Sequence, residues 1–243
     1  MLAQEGLAFE DRVAKMSLVK TTVQRLKKRV VGILGRERAN RISAPYHDWM
    51  AQRRTLERLS TLPRSDLHVN LGCGHNPKPG WLNVDIARGE HVDIVWDLRR
   101  PLPFANDSCA AIFSEHVIEH LSRDDAERLV QECQRVLQPG GVLRISTPDA
   151  GRFLRAYADE DEFLRHPGFT EPIRTPLDRI NQMMREGGQH LWAYDAPSLL
   201  LLLSRAGFSE AMKQEFGRSL HPRMQNLDTE ARAFESLYVE AVK

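Results

Sequence analysis

Three groups of residues in this chain have the types and spacing to do chemistry together. They are Gly72-Cys73-Gly74 with Asp85 thirteen positions after Gly72, then Asp97, then the run Glu115-His116-Val117-Ile118-Glu119-His120. Two glycines one residue apart let the backbone approach a ligand closely. A carboxylate at the tip of the next strand accepts hydrogen bonds from both hydroxyls of a ribose. The glycines taken alone fit a tight, ligand-free turn equally well. A dinucleotide is disfavoured. Its pyrophosphate needs a helix N-terminus directly after the glycines, and its acidic residue falls roughly 20 positions on. Here the loop His75-Asn-Pro-Lys-Pro-Gly80 leaves no room for that helix.

The elements that must position these residues read as an alternation of strands and helices. Leu67–Leu71 leads into the glycines, and Trp81–Ile86 ends beside Asp85. Val92–Asp97 is a third strand ending in an acid, and Ala110–His116 is a fourth. Arg123–Leu137 is a helix with Ala126, Leu129, Val130, Cys133, Val136 and Leu137 on one face, stopped by Pro139-Gly140-Gly141. Val142–Thr147 is a fifth strand, Ala196–Ala206 a helix, and Ser209–Phe216 and Leu237–Val242 the last two strands. The pattern predicts an α/β fold with a doubly wound, mostly parallel seven-stranded sheet, ligand at the carboxyl ends of its strands.

In Asn70-Leu-Gly-Cys-Gly74, Leu102-Pro-Phe104, Ser114-Glu-His-Val-Ile-Glu-His-Leu121 and Arg135-Val-Leu-Gln-Pro-Gly-Gly141, the chain resembles the class I S-adenosylmethionine-dependent methyltransferases, type 11. The glycine loop resembles a subgroup with a Gly-Cys-Gly-x-Asn-Pro sequence. The resemblance implies that Gly72 and Gly74 line the methionine part of S-adenosylmethionine, that Asp85 holds the ribose, and that Asp97 and the backbone of Leu98 meet the adenine. It adds Asn70, Cys73, Ile86 and Glu115 to the cofactor pocket. Many relatives carry an acid where this chain has Asn70, and many have a third glycine and a full helix after the loop. The missing acid either weakens cofactor affinity or leaves Asn70 bonding main chain only.

Methyl transfer to a hydroxyl is helped by a positioned base, and histidine is the usual choice near neutral pH. His116, at the end of the fourth strand, is the first candidate, followed by His120 beside Glu119. His190, in Gly187-Gly-Gln-His-Leu-Trp-Ala-Tyr-Asp195, is another. These histidines are equally suited to orienting a loop, capping a helix or tying the 150–195 insertion to the body. That insertion also carries Tyr157, Phe163, Phe169, Trp192 and Tyr194, aromatics that suit a sugar or an aromatic acceptor. His116-Val-Ile-Glu-His120 also matches the H-x-x-E-H pattern of a zinc hydrolase. The predicted strand end at His116 argues against the continuous helix that reading needs, and no metal is expected.

At 243 residues, 42% apolar and 28% charged, the chain suits one catalytic domain with extensions. We divide it into a basic helical extension over 1–64 and a methyltransferase domain over 65–243, with the 150–195 insertion on its substrate side. No apolar run approaches the 18 or so residues of a membrane span. No secretory signal is read at the N-terminus. Cys73, Cys109 and Cys133 form no paired metal motif and point to a reducing, cytoplasmic setting. From Arg12 to Arg64 there are 14 Lys and Arg against 3 Asp and Glu, leaving the rest of the chain at −10 against a net of +1. Met16, Val19, Val23, Leu26, Val30 and Ile33 give this segment an apolar helical stripe among Lys20, Arg25, Lys27, Lys28 and Arg29. Docking on the enzyme body or self-association is the first reading. Peripheral contact with an anionic membrane is the second, and nucleic acid is disfavoured. The expected function is S-adenosylmethionine-dependent O-methylation of a small-molecule, saccharide or lipid-linked acceptor. The alternative is an inactive cofactor-binding partner or regulatory subunit.

Overall fold

The computed structural model describes residues 50–169 and 171–243. The chain divides into two compact units, Met1–Arg53 and Arg54–Lys243, and the sheet and site belong to the second. The basic helical stripe from Met16 to Ile33 lies outside the described residues. Residues 50–60 are helical (α1).

Seven strands form one sheet in the order β3-β2-β1-β4-β5-β7-β6. They are β1 (Leu67–Leu71), β2 (Leu82–Asp85), β3 (Ile94–Val95), β4 (Cys109–Glu115), β5 (Leu137–Pro148), β6 (Glu210–Gln214) and β7 (Ser236–Val242). The pairs β1–β2, β2–β3, β1–β4 and β4–β5 are parallel. Strand β7 runs antiparallel to both β5 and β6. This is the doubly wound, mostly parallel sheet that the sequence pattern predicts. The order reverses at β1 and β4, so their carboxyl ends open a crevice, the usual ligand position in such sheets.

Burial follows the expected periodicities. Strands β1 and β4 are buried along nearly their whole length because both faces are covered. Helix α2 (Arg123–Val136) buries Ala126, Leu129, Val130, Cys133 and Val136, and Ser122 caps it by accepting from the Asp125 amide at 3.2 Å. Each large apolar side chain removed from water there contributes roughly 1.5–3 kcal/mol. Extended backbone resumes at Leu137, earlier than the glycines suggest. Leu137 pairs with Cys109 before a bulge brings Val142 opposite Ala111. No helix intervenes between β1 and β2 among the described residues, as the prolines of the loop require.

The insertion after β5 folds into α3 (Ala150–Ala158) and α4 (Pro176–Arg185) before α5 (Ala196–Arg205) returns to the sheet. It has its own apolar core of Phe153, Phe163, Leu164, Ile180 and Met183, with Phe169 and Phe234 against it. Among the described residues no helix is long and apolar enough to cross a membrane.

Candidate active site

The β1–β2 corner is built by glycine geometry. Gly72 (φ +66°) and Gly74 (φ +49°) are left-handed, a conformation that costs other residues about 1–2 kcal/mol. Gly72 N–H donates to the Val84 carbonyl at 2.8 Å and Cys73 N–H to the same oxygen at 3.1 Å. A Cβ at Gly72 would sit 2.3 Å from Val117 Cγ2, whereas one at Gly74 would meet open space. That open space lies beside Asp85, whose Oδ2 accepts from Gly74 N–H at 2.8 Å and Oδ1 from Ala87 N–H at 2.7 Å. Each oxygen keeps a lone pair for a further donor. Ile86 follows with 62% of its surface exposed, an apolar side chain left open at the crevice edge where a flat base can cover it. Asp97 holds Arg99 through both oxygens, at 2.9 Å to Nε and 2.7 Å to Nη2, and this pairing keeps its carboxyl below the usual range. Leu98 is buried beside it.

Behind the corner, a buried amide network fixes the short loop. Asn70 Nδ2 donates to Asn83 Oδ1 at 2.9 Å and to the Asn76 carbonyl at 3.4 Å. Asn83 Oδ1 also accepts from Lys78 N–H at 2.8 Å. The expectation that Asn70 bonds main chain needs amending, since its shorter bond goes to a side chain. An acid at position 70 would place a carboxylate against Asn83 Oδ1, so the neutral amide fits this loop. Glu115 is also engaged by protein. It accepts from Thr229 N–H at 2.9 Å, from Thr229 Oγ1, and from Asn76 Nδ2 at 3.2 Å. Lys78, its charge disfavoured by burial, reaches the Leu227 carbonyl at 2.8 Å and lies 3.8 Å from Glu115.

The three predicted histidines converge just beyond β4. His116 is left-handed (φ +52°) and buried, with Nε2 2.8 Å from Ser236 Oγ. Its Nδ1 lies 3.3 Å from Arg232 Nη1 and 3.3 Å from Glu119 Oε1. Arginine can only donate, so Nδ1 is the acceptor and Nε2 carries the proton. Burial, then the Arg232 cation, lowers the His116 pKa to about 3. Burial raises Glu119 to about 8. The close contact is therefore a neutral pair rather than an ion pair, because each charge alone would be desolvated. His116 is a poor free base in this state. It ties the end of β4 to β7.

His120 and His190, seventy residues apart in sequence, meet edge to face with ring centroids 4.9 Å apart. His120 Nδ1 faces the Gln189 carbonyl at 3.3 Å and His190 Nδ1 the Met183 carbonyl at 2.5 Å. Burial lowers the His120 pKa. Ile118–His120 is a single 3-10 turn following the strand end at His116, so the H-x-x-E-H residues do not share a helix face. Glu119, absent from the predicted site, sits among all three histidines. The signal for it was the same short motif, read there for its histidines.

A cavity of about 400 Å³ adjoins this cluster, lined by Phe153, Phe169, Met183, Glu186, His190 and Arg232 among others. The insertion aromatics divide. Phe163 and Phe169 pack in its core, while Tyr157 and Trp192 are exposed and Tyr194 is buried. Ala231, Arg232 and Glu235 also line the cavity, from the 217–235 stretch, in which the sequence shows no motif. Arg144, wholly buried under that stretch, binds Asp228 through Nε at 2.8 Å and Nη2 at 2.5 Å, and Glu240 at 2.9 Å.

The sheet order, the glycine corner and its facing carboxylate have their counterpart in a known family: residues 70–145 match the one described as a methyltransferase domain. The cofactor of such a domain is S-adenosylmethionine. The chain is 34% identical over 128 residues to a bifunctional biotin-biosynthesis protein of Cellvibrio japonicus, covering 50% of this chain and 24% of that protein. It is 34% identical over 77 residues to a malonyl-(acyl-carrier protein) O-methyltransferase of Hahella chejuensis, covering 31% and 27%. A solved S-adenosylmethionine-dependent methyltransferase from Mesorhizobium loti aligns over 77% of this chain and 96% of that one, at 20% identity and a TM-score of 0.43. The chain thus spans only 24% and 27% of these two curated relatives.

Proposed function

We propose that this protein transfers the methyl group of S-adenosylmethionine to an oxygen of a small-molecule, saccharide or lipid-linked acceptor. The observation that carries this reading is the clasp between Gly74 N–H and Asp85 beside space that a Cβ would fill. The residues present fit the cofactor. Gly72, Cys73 and Gly74 would border its methionine part, Asp85 would accept from its ribose hydroxyls, and Ile86, Asp97 and Leu98 would flank its base. When bound, it supplies an electrophilic methyl group on a sulfonium.

The chain's own work is to orient the acceptor, exclude water and receive its proton. Phe153 and Phe169 give the cavity apolar faces. Glu119, His120 and His190 are the groups through which a hydroxyl proton leaves, and His116 positions them from β4. The oxygen acceptor is favoured because a hydroxyl needs such help, and general base catalysis is worth roughly 10²–10⁴-fold. The three cysteines are free and buried, which suits a reducing compartment, so we place the protein in the cytoplasm.

Calorimetric titration with S-adenosylmethionine and S-adenosylhomocysteine, with NAD as control, tests the cofactor. Micromolar binding of the two adenosyl ligands alone is expected. An acceptor screen follows, read by S-adenosylhomocysteine release. Binding without turnover on any acceptor leaves the regulatory-subunit reading, and absence of binding overturns both.

A further inference from the structure

The cluster of Glu119, His120 and His190 has more order than proton transfer requires. Each residue holds one polar atom on the protein and leaves a second that no backbone or hydroxyl group engages. Glu119 Oε2 accepts from Thr147 Oγ1 at 3.0 Å, while Oε1, on a residue only 2% exposed, has just the 3.3 Å contact with His116 Nδ1. A carbonyl can only accept, so the Gln189 and Met183 oxygens fix the proton of His120 and His190 on Nδ1. That leaves Nε2 of both rings with its lone pair, and the buried Nε2 of His190 faces Glu186 Oε2 at 2.5 Å, a contact between two acceptors that needs a proton or a cation between them. One ligand atom from each of the three residues lies within 4.8 Å of the others. Anchoring one ring nitrogen on a carbonyl is how proteins hold histidines that ligate metals through the other.

We propose that Glu119, His120 and His190 bind one divalent transition-metal ion of the zinc class, with Glu186 as a movable fourth ligand. Two neutral imidazoles and a carboxylate are a donor set suited to such an ion and poorly suited to calcium or magnesium. Glu186 Oε2 lies 2.5 Å from His190 Nε2 and is half exposed. A tetrahedral ion with bonds near 2.0–2.1 Å needs its donors about 3.4 Å apart, so rotation of these side chains by roughly 1 Å closes the site. Arg232 opposes the cation from the His116 side, and Glu235, 3.2 Å from Arg232, offsets it together with Glu186. This set differs from the H-x-x-E-H hydrolase pattern: His116 is spent on Ser236 and Arg232, and the insertion supplies the second histidine. The ion would border the cavity and make an acceptor hydroxyl held there more acidic. It would do so in place of direct proton uptake by His120 and His190, whose lone pairs it would occupy. That role rests on the proposed methyl transfer. Binding of the ion does not.

The test uses the full chain, stripped with a chelator and titrated with zinc chloride by calorimetry, with magnesium chloride as control. Cobalt(II) is added to a second sample and its visible absorption recorded. One zinc per chain at micromolar or tighter affinity is expected, with a cobalt band and no magnesium heat. His120→Ala and His190→Ala each weaken zinc binding by roughly 100-fold or more, while His221→Ala leaves it unchanged. S-adenosylmethionine titration of every variant reports folding and separates the two readings. Cofactor binding without zinc binding overturns the metal site alone, and loss of cofactor binding in the unmutated chain overturns the proposed function alone. Zinc binding that survives the His120→Ala, His190→Ala double variant also overturns the site.

Discussion

The glycine corner, to which we assign the cofactor, and the histidine cluster, to which we assign the acceptor, are built on different length scales. At the corner, Gly74 reaches Asp85 across 11 positions and Asn70 reaches Asn83 across 13. On the side of the histidines, His116 meets Ser236 across 120 positions and Arg232 across 116, and Arg144 meets Asp228 across 84. Local contacts follow from turn chemistry, which glycine, proline and asparagine announce. Distant contacts follow from how the sheet brings β7 back beside β5, which no local pattern announces. The corner should therefore tolerate damage to the acceptor side, and the reverse should also hold.

The strongest test is Arg144→Met. It leaves Asp228 and Glu240 buried without their cation, with only the Gly217 and Leu220 N–H groups still donating to them, at a cost of about 3–5 kcal/mol. A fall in melting temperature on the order of 10 °C follows for a domain of this size. Limited proteolysis should find new cuts between residues 215 and 235, while S-adenosylmethionine binding at low temperature survives. Loss of cofactor binding by the still-folded variant would show the two regions to be one cooperative unit.

Gly72→Ala strikes the corner instead. The new methyl group meets Val117 at 2.3 Å on a left-handed backbone, and strain plus overpacking come to about 3 kcal/mol. Gly74→Ala has the same backbone penalty without the clash, so it should cost only about 1–2 kcal/mol of stability. Its Cβ, however, enters the space assigned to the cofactor. Differential scanning calorimetry beside ligand titration should rank the two variants in opposite orders. The same ranking in both would place the ligand elsewhere.

The same contrast explains what was legible beforehand. Most of the strands, the α2 face and the glycine corner came from periodicity and breaker residues, which act within a dozen positions. His116, His120 and His190 were each recognisable as chemistry, but their meeting was not. His190 reaches His120 only because Leu191 and Trp192 N–H groups bond the Glu119 carbonyl, at 2.8 and 3.2 Å. Arg144 gave no warning at all. An arginine inside an apolar strand looks like a pleat facing water until Asp228 and Glu240 arrive from elsewhere. Glu119 was hidden differently, since its importance lies in complete burial, which a sequence of one acid among histidines does not disclose.

Asp85→Ala separates affinity from stability within the corner. The carboxylate makes two short backbone hydrogen bonds and would add two to a ribose. Charge-assisted bonds contribute about 1.5–3 kcal/mol each, so a loss of roughly 100-fold in S-adenosylmethionine affinity is expected. Turnover at saturating cofactor should stay within a few-fold, because the acceptor groups are untouched. A collapse of turnover at saturation would mean that the Gly74 clasp also shapes the acceptor side.

The smallest expected effect is the most discriminating one for the loop. Asn70→Ala removes a buried donor and leaves Asn83 Oδ1 with only the Lys78 amide, a cost of about 1–2 kcal/mol. Asn70→Asp keeps the shape but sets a carboxylate against that same oxygen. Repulsion between two acceptors makes it the worse of the two, although it restores the acid that many relatives of this family carry. If the loop is held as the hydrogen bonds indicate, cofactor affinity should fall a few-fold in Asn70→Ala and further in Asn70→Asp. A tighter-binding Asn70→Asp would mean that the position faces the cofactor, and that Asn83 merely fills the space left by a missing charge.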